Sequence, residues 1–404
     1  MVGQPVFIHR VRLRNYKSIA ACDVNLGPLT FLVGPNGAGK SNFVDALRLL
    51  SESLHTTLDH ALRNQRGGVK EVRRRSSGHP TNFGIRVDFF LPGNGQKGHY
   101  AFRIGAAKEG GFQVQQEECR VGSSGFRVAA GKVIEPPGVV VPPAASDRLY
   151  LTNASGLPEF RPVFDALSAM RFYNINPDRL RQLQTPDKGD VLDRDGGNAA
   201  SVIEKLEKRE PATLERIEDF LSKVVPGVEG VRTERMGHME SIEFRQRVMS
   251  APHPWRFPAL NMSDGTLRAL GVLVALFQRS DTNESWGGVP LVGIEEPEAA
   301  LHPAAAGVLI DALFQASRTR QVVVTSHSPD LLDDERLTSD HVVAVLGREG
   351  CTEIGAIDEA GRIALLNHLY TAGELLRLDQ LQPGPAAAHH NSQLRLFDEE
   401  VGEP

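Results

Sequence analysis

From Val6 to Arg14 (Val-Phe-Ile-His-Arg-Val-Arg-Leu-Arg) apolar and polar positions alternate, the period of a strand with one face in a core. Leu29-Thr30-Phe31-Leu32-Val33 is a short apolar run closed by glycine, as in a strand buried on both faces, and a glycine-rich turn and a helix follow it. Ile85–Phe90 and Tyr100–Ile104 alternate again between Gly and Asn, which predicts an antiparallel lobe over about 83 to 135. A proline-rich linker covers 135–143. Between about 160 and 225 the period becomes helical (Val163, Phe164, Leu167; Val202, Ile203, Leu206; Leu214, Ile217, Phe220, Leu221), without sustained heptads. Strands resume at 229–248, and from 258 helices alternate with apolar strands in the manner of an α/β sheet. The expected division is therefore a lobe over 1–135, an inserted helical and β segment over 136–250, a second lobe over 251–382, and a tail over 383–404. That tail should be flexible, because Gly384-Pro385-Ala386-Ala387-Ala388-His389-His390-Asn391 has little to bury.

With 404 residues, 41% hydrophobic and 24% charged, the chain can bury a sizeable core and is neither disordered nor fibrous. A net charge of −5 excludes a chain that coats nucleic acid over its whole surface, so any DNA contact must be local. Three separated cysteines, Cys22, Cys119 and Cys351, fit neither a disulfide framework nor a metal-ligand spacing. No signal peptide and no apolar run of membrane length is present, so the expected location is the cytoplasm.

Gly34-Pro35-Asn36-Gly37-Ala38-Gly39-Lys40-Ser41 has the P-loop spacing and lies between a predicted strand and a predicted helix. Glycines let successive backbone N–H groups turn toward phosphates, and the helix adds its positive end. The expected nucleotide-binding residues are Asn36, Gly37, Ala38, Gly39, Lys40, Ser41 and Asn42, with Lys40 neutralising phosphates and Ser41 ligating Mg2+. Hydrolysis also needs a carboxylate at a strand end. Pro290–Ile294 is an apolar strand, after which Glu295 would hold the metal and Glu296 would polarise the attacking water. Gln321–Thr325 ends at Ser326-His327-Ser328-Pro329 and brings His327 to the same edge, where as a third catalytic residue beside Glu296 and Lys40 it would touch the γ-phosphate. Met262-Ser263-Asp264-Gly265-Thr266 precedes an apolar helix; it reads equally as an ordinary N-cap and as an anion site.

Taken together, Asn15-Tyr16-Lys17-Ser18, the P-loop, the Met262–Thr266 turn, Ile294–Pro303 and Thr325–Pro329 resemble the SMC/RecF-like ATPase heads. Within that group the chain is most similar to short AAA-family ATPases related to OLD proteins, many of which serve in phage defence or DNA repair. The resemblance implies an α/β P-loop NTPase of ABC-type head architecture, with ATP and Mg2+ held between two facing heads. Ser263 and Gly265 would then serve in trans, and ATP would join heads that hydrolysis through Glu296 releases. Glu295 departs from the aspartate usual there. The glutamine loop of such heads has candidates in Gln113, Gln115 and Gln116. A long heptad arm is missing, as is room for an appended nuclease, so a separately encoded effector, a nuclease or toxin, is expected. A slowly hydrolysing scaffold that restrains a toxic effector is the alternative. A transporter subunit is disfavoured by the large lobe between motifs, and a GTPase by the lack of an Asn-Lys-x-Asp motif.

Two further segments suggest partners. Arg63, Arg66, Lys70, Arg73, Arg74 and Arg75 form a basic stretch suited to a phosphate backbone. Gln393-Leu394-Arg395-Leu396-Phe397 is similar to the peptide by which bacterial replication proteins dock on the sliding clamp, and its leucines and phenylalanine need an apolar pocket somewhere.

Overall fold

The computed structural model describes residues 6–76, 78–107, 111–138, 141–249, 251–278, 288–384 and 394–398. Thirteen strands form one sheet, running from one edge as Lys132–Glu135, Ser124–Ala129, Phe112–Val121, Lys97–Ala106, Asn82–Phe90, Ile8–Tyr16, Ile19–Asn25, Cys351–Ala356, Val342–Arg348, Leu29–Val33, Gln321–Ser326, Leu291–Glu295 and Arg171–Tyr173. From Lys132–Glu135 to Ile19–Asn25 every pairing is antiparallel. From Val342–Arg348 to Arg171–Tyr173 every pairing is parallel. Among the described residues no helix is long and apolar enough to cross a membrane.

The parallel strands are apolar on both faces because both are covered. Leu32, Val323, Val343 and Val345 face a core shared with the helices Lys40–His55 and Arg161–Ser168. Their neighbours Phe31, Val33, Val322, Val324 and Ile294 face a second core, filled from Ala199–Arg209, Pro211–Val224, Asp264–Phe277 and Ala306–Ala316. A separate sheet of Val228–Met236, Met239–Gln246 and Trp255–Pro258 packs into this second core through Val231, Ile242 and Phe244.

Two expectations need correction. The stretch from 160 to 225 is not helical throughout: Arg171–Tyr173 pairs in parallel with Val292–Ile294 and forms the sheet edge. Three residues are too few to leave a periodic signal in sequence. Nor is the tail flexible throughout, since Leu394, Leu396 and Phe397 are buried against Ala21 and Ala101 of the antiparallel lobe. Gly84 makes room for this docking, because a Cβ there would lie 2.3 Å from Leu396 Cδ1. Arg86 donates to the Leu396 carbonyl at 3.0 Å, Arg12 to that of Arg395 at 3.2 Å, and the Arg103 guanidinium lies 5.1 Å from the Phe397 ring centroid. The apolar side chains of the clamp-like peptide thus already occupy a pocket in their own protein. Residues 385–393, Gln393 included, lie outside the described residues.

Gln321, fully buried, fastens the two halves of the sheet. Its Oε1 accepts from the amides of Phe7 and Ile8 at 3.2 and 2.8 Å, and its Nε2 donates to the carbonyls of Ile8 and Gly27 at 2.7 and 2.9 Å. Gln321→Leu keeps the volume but strands buried backbone groups, and should lower unfolding free energy by about 3 kcal/mol, read from the urea midpoint. Glu117 plays a similar part in the lobe, accepting from the amides of Tyr150 and Leu151 and from the Tyr100 hydroxyl. Burial pushes its carboxyl up to about 7, against the opposing pull of those donors. The folded value lies above the ordinary 4.5, so this contribution to stability is complete below that pH and is lost as pH rises through about 7. The stability of the wild type relative to Glu117→Gln should fall by about 3 kcal/mol between pH 4.5 and pH 8; parallel pH profiles would contradict this.

Candidate functional site

The strand Leu29–Val33 delivers the chain to Gly34, where the backbone passes so close to its neighbour that a Cβ would lie 1.9 Å from the Val345 carbonyl oxygen. Gly37 and Gly39 take φ of 78° and 106°, the left-handed region that glycine enters without strain. The helix Lys40–His55 then begins with no side chain capping it, so its positive end is open to an anion. Asn36, Gly37 and Ser41 are exposed at this turn, and Ala38 is buried beneath it. Lys40 is also buried, and its ammonium donates to the carbonyls of Gly34 and Pro35 at 2.7 and 3.0 Å, curling over its own loop. Desolvation lowers its pKa, while the charges of Glu296 and Glu298 pull the other way. Asn42 is turned to the scaffold: its amide donates to Ser18 Oγ at 2.7 Å, and Thr352 Oγ1 contacts Ser18 Oγ at 2.7 Å and donates to the Ala38 carbonyl at 2.8 Å. This makes Asn42 a brace of the loop rather than part of its exposed face.

Glu295 and Glu296 leave the carboxyl end of Leu291–Glu295, at the sheet edge that also carries the P-loop and His327. Glu295 accepts from Arg194 Nη2 at 2.9 Å. Glu296 adopts φ of 46° and Ala300 φ of 64°, uncommon for residues other than glycine, so the turn between them is strained. The Glu296 amide holds it in place by donating to the Thr325 carbonyl at 3.0 Å. His327 Nδ1 lies 3.3 Å from Glu296 Oε1, within ion-pair range but off the line of a hydrogen bond.

Sequence reasoning passed over Glu298. One of its oxygens accepts from Ser326 Oγ at 2.6 Å and from the His327 amide at 3.4 Å, while the other is buried with no hydrogen-bond partner among the described residues. Burial pushes this carboxyl up. The Glu-Pro-Glu spacing is visible in the sequence, but a carboxylate three residues beyond a strand end reads as part of a loop until the fold brings it back beside Ser326. The unpartnered Glu298 oxygen and His327 nitrogen, the open helix end and the inturned Lys40 together fit a triphosphate and a divalent ion: the polar groups such a ligand needs are present and not all engaged.

In the Met262–Thr266 turn, Ser263 is an ordinary N-cap, its Oγ accepting from the Thr266 amide at 3.2 Å. Ser263 and Asp264 are exposed, and Asp264 pairs with Arg181. Gly265 is needed for close packing, since a Cβ there would lie 2.4 Å from the Ala300 carbonyl. One turn on, Arg268 donates to the Glu296 carbonyl at 3.3 Å. This helix therefore rests directly on the strained turn that presents Glu296.

Other expected residues are not gathered here. Gln113, Gln115 and Gln116 lie on Phe112–Val121, with six strands between them and Leu29–Val33. Among the basic residues Arg66 is buried, with its guanidinium on Asp45 at 2.9 Å and Glu52 at 2.6 Å. Asp45 also takes Lys17 at 2.6 Å, Arg48 at 2.6 Å and the Tyr16 hydroxyl at 2.8 Å, and these cations hold its carboxyl well below the usual range despite burial. Arg66 is thus a structural counter-ion, whereas Arg63, Lys70 and Arg75 remain exposed.

Comparison with known proteins agrees with this arrangement. Over 98 residues the chain is 32% identical to the DNA replication and repair protein RecF of Magnetococcus marinus, and it spans about a quarter of the length of that curated relative. Its fold is similar to that of an Smc head bound to the C-winged helix domain of ScpA, with a TM-score of 0.57 and 13% identity, covering 88% of this chain and 99% of that one. A second likeness is to the Pyrococcus furiosus Smc head domain with an extended coiled coil bound to the C-terminal domain of ScpA: TM-score 0.54, 12% identity, 90% of this chain and 99% of that one. The model of one family matches residues 29–333, from the strand that opens the P-loop to just beyond His327. With most of its length matched and every strand end of the site inside the match, the chain belongs to the family described as "AAA domain, putative AbiEii toxin, Type IV TA system", built on an SMC/RecF-like head of the ABC type.

Proposed function

We propose that this protein is a Mg2+-dependent ATPase whose heads pair across bound ATP to control a DNA-directed partner, in anti-phage defence or DNA repair. The observation that carries the proposal is the meeting of Lys40, Glu296, Glu298 and His327 at one sheet edge beside an uncapped helix end. Amides of Asn36 to Ser41 and the Lys40 ammonium bind the triphosphate. Ser41 and Glu295 hold the divalent ion, which when bound neutralises charge on the terminal phosphates. Glu296 orients the attacking water and takes its proton, with His327 beside it. Glu298 keeps the His327 backbone in place.

Ser263 and Gly265 complete the partner head's nucleotide site. Ser263 is exposed, as a contact in trans requires, with Gly265 half-buried two residues on, and Arg268 ties that turn to Glu296 of the same head. Arg63, Lys70 and Arg75 supply the local phosphate-backbone contact. The name of the RecF relative and the ScpA domains bound to the two Smc heads support DNA and protein partners respectively. A nuclease or toxin encoded separately is the effector that fits. The scaffold reading keeps one observation in its favour: Glu295 is engaged by Arg194, which would slow metal loading and turnover.

Glu296→Gln should lower steady-state ATPase turnover roughly a hundredfold or more and leave ATP binding in place. Turnover stimulated by duplex DNA in the wild type and lost in this variant supports the proposal; a basal rate insensitive to both DNA and the substitution supports the scaffold. Ser263→Arg should bind ATP as a monomer and fail to dimerise with it, measured by light scattering after size-exclusion chromatography. If turnover and pairing are unchanged, the contribution in trans is wrong.

A further inference from the structure

Arg194 meets the strand-end carboxylate from a segment in which no ligand was expected. The parallel pairing of Arg171–Tyr173 with Leu291–Glu295 sets their carboxyl ends side by side, and the chain returns to that edge at Arg194 and Asp195. There Asn174 N donates to the Arg194 carbonyl at 2.9 Å and Asn176 N to that of Asp195 at 3.0 Å. The residues around Arg194 are pinned as well. Asn198 Oδ1 accepts from the Asp193 amide at 2.7 Å, the Asp195 carboxylate accepts from the Gly197 amide and pairs with Arg179, both at 3.0 Å, and Gly196 packs against Leu180 with φ of 86°. The backbone is fixed on both sides, whereas the Arg194 side chain is 46% exposed and reaches Glu295, itself only 13% exposed, at 2.9 Å.

With its arginine half exposed to solvent, the pair contributes only modestly to stability. Its position gives it another use. A guanidinium on Glu295 neutralises a half-buried carboxylate that would otherwise wait uncompensated for a cation. With a divalent ion held by the same carboxylate, that guanidinium would be repelled and free to turn to another anion. The planar fork of arginine suits phosphate oxygens, and a triphosphate at the P-loop would bring such an anion to the strand-end edge where Arg194 meets Glu295.

We propose that Arg194 is the resident counter-ion of Glu295 in the nucleotide-free head and moves to the terminal phosphate when metal and nucleoside triphosphate enter, so that it distinguishes triphosphate from diphosphate. This rests on the nucleotide site proposed above and adds to it a residue that reads the terminal phosphate.

The test uses full-length wild type, Arg194→Ala and Arg194→Lys, with fluorescent ATP and ADP titrated in Mg2+, and Mn2+ titrated without nucleotide and followed by electron paramagnetic resonance. Arg194→Ala should lose roughly tenfold or more in ATP affinity with ADP affinity nearly unchanged, and should bind nucleotide-free Mn2+ more tightly than wild type. Arg194→Lys should restore part of the ATP preference, since it keeps the charge without the fork. Equal loss for both nucleotides would show that Arg194 only supports the loop, and unchanged affinities would reduce it to a surface ion pair; either result overturns the inference and leaves the nucleotide site standing. Wild type that binds neither nucleotide would overturn both.

Discussion

Parallel hydrogen bonding of Leu29–Val33, Gln321–Ser326, Leu291–Glu295 and Arg171–Tyr173 compels these four strands to end on the same side of the sheet. In register, Val33 lies opposite Ser326, and Thr325 opposite Glu295. The P-loop, His327, the two strand-end glutamates and Arg194 come from stretches of chain far apart in sequence, and they share a site because this ladder allows them no other placement. The strands are short and buried on both faces, so a slip of one residue would turn core side chains toward the wrong layer. The position of the chemistry is therefore set by the packing of Phe31, Val324 and Ile294 as much as by any polar residue.

At the heart of the site the backbone is under tension. Glu296 and Ala300 both occupy left-handed conformations, each of which costs of order 1–3 kcal/mol and persists only where the surroundings impose it. The surroundings here are the Thr325 carbonyl below, and the Gly265 and Arg268 helix above. A displacement of that helix is felt directly at the carboxylate. Within one head, the surface proposed to meet a partner and the residue proposed to activate water are adjacent turns of backbone.

Much of this was legible in the sequence because the signals were local. The strand at Leu29–Val33, the glycine pattern of the P-loop, the carboxylates after Ile294 and the alternation of the antiparallel lobe all lie within short windows. What escaped depends on distant parts of the chain meeting. Arg171–Tyr173 becomes a strand only because Leu291–Glu295 offers it an edge. Arg194 and Glu298 acquire meaning from neighbours about 100 and 30 residues away. Arg66 looked like the other basic residues of its run, and nothing near it in sequence tells that Asp45 and Glu52 enclose it. Leu394, Leu396 and Phe397 correctly signalled the need for an apolar pocket, but composition could not say that Gly84 and Ala101 provide it.

That docking has a consequence for how the lobe comes into being. All seven of its strands have emerged once residue 135 is made, yet the groove at Ala21, Gly84 and Ala101 is filled by Leu394, Leu396 and Phe397, and its first strand is anchored by Gln321. Contacts that span some 300 positions make closure a late event in folding. During synthesis the growing chain therefore carries a sheet whose groove, at Ala21, Gly84 and Ala101 with Arg12, Arg86 and Arg103 beside them, stays uncovered until residues 394–398 arrive.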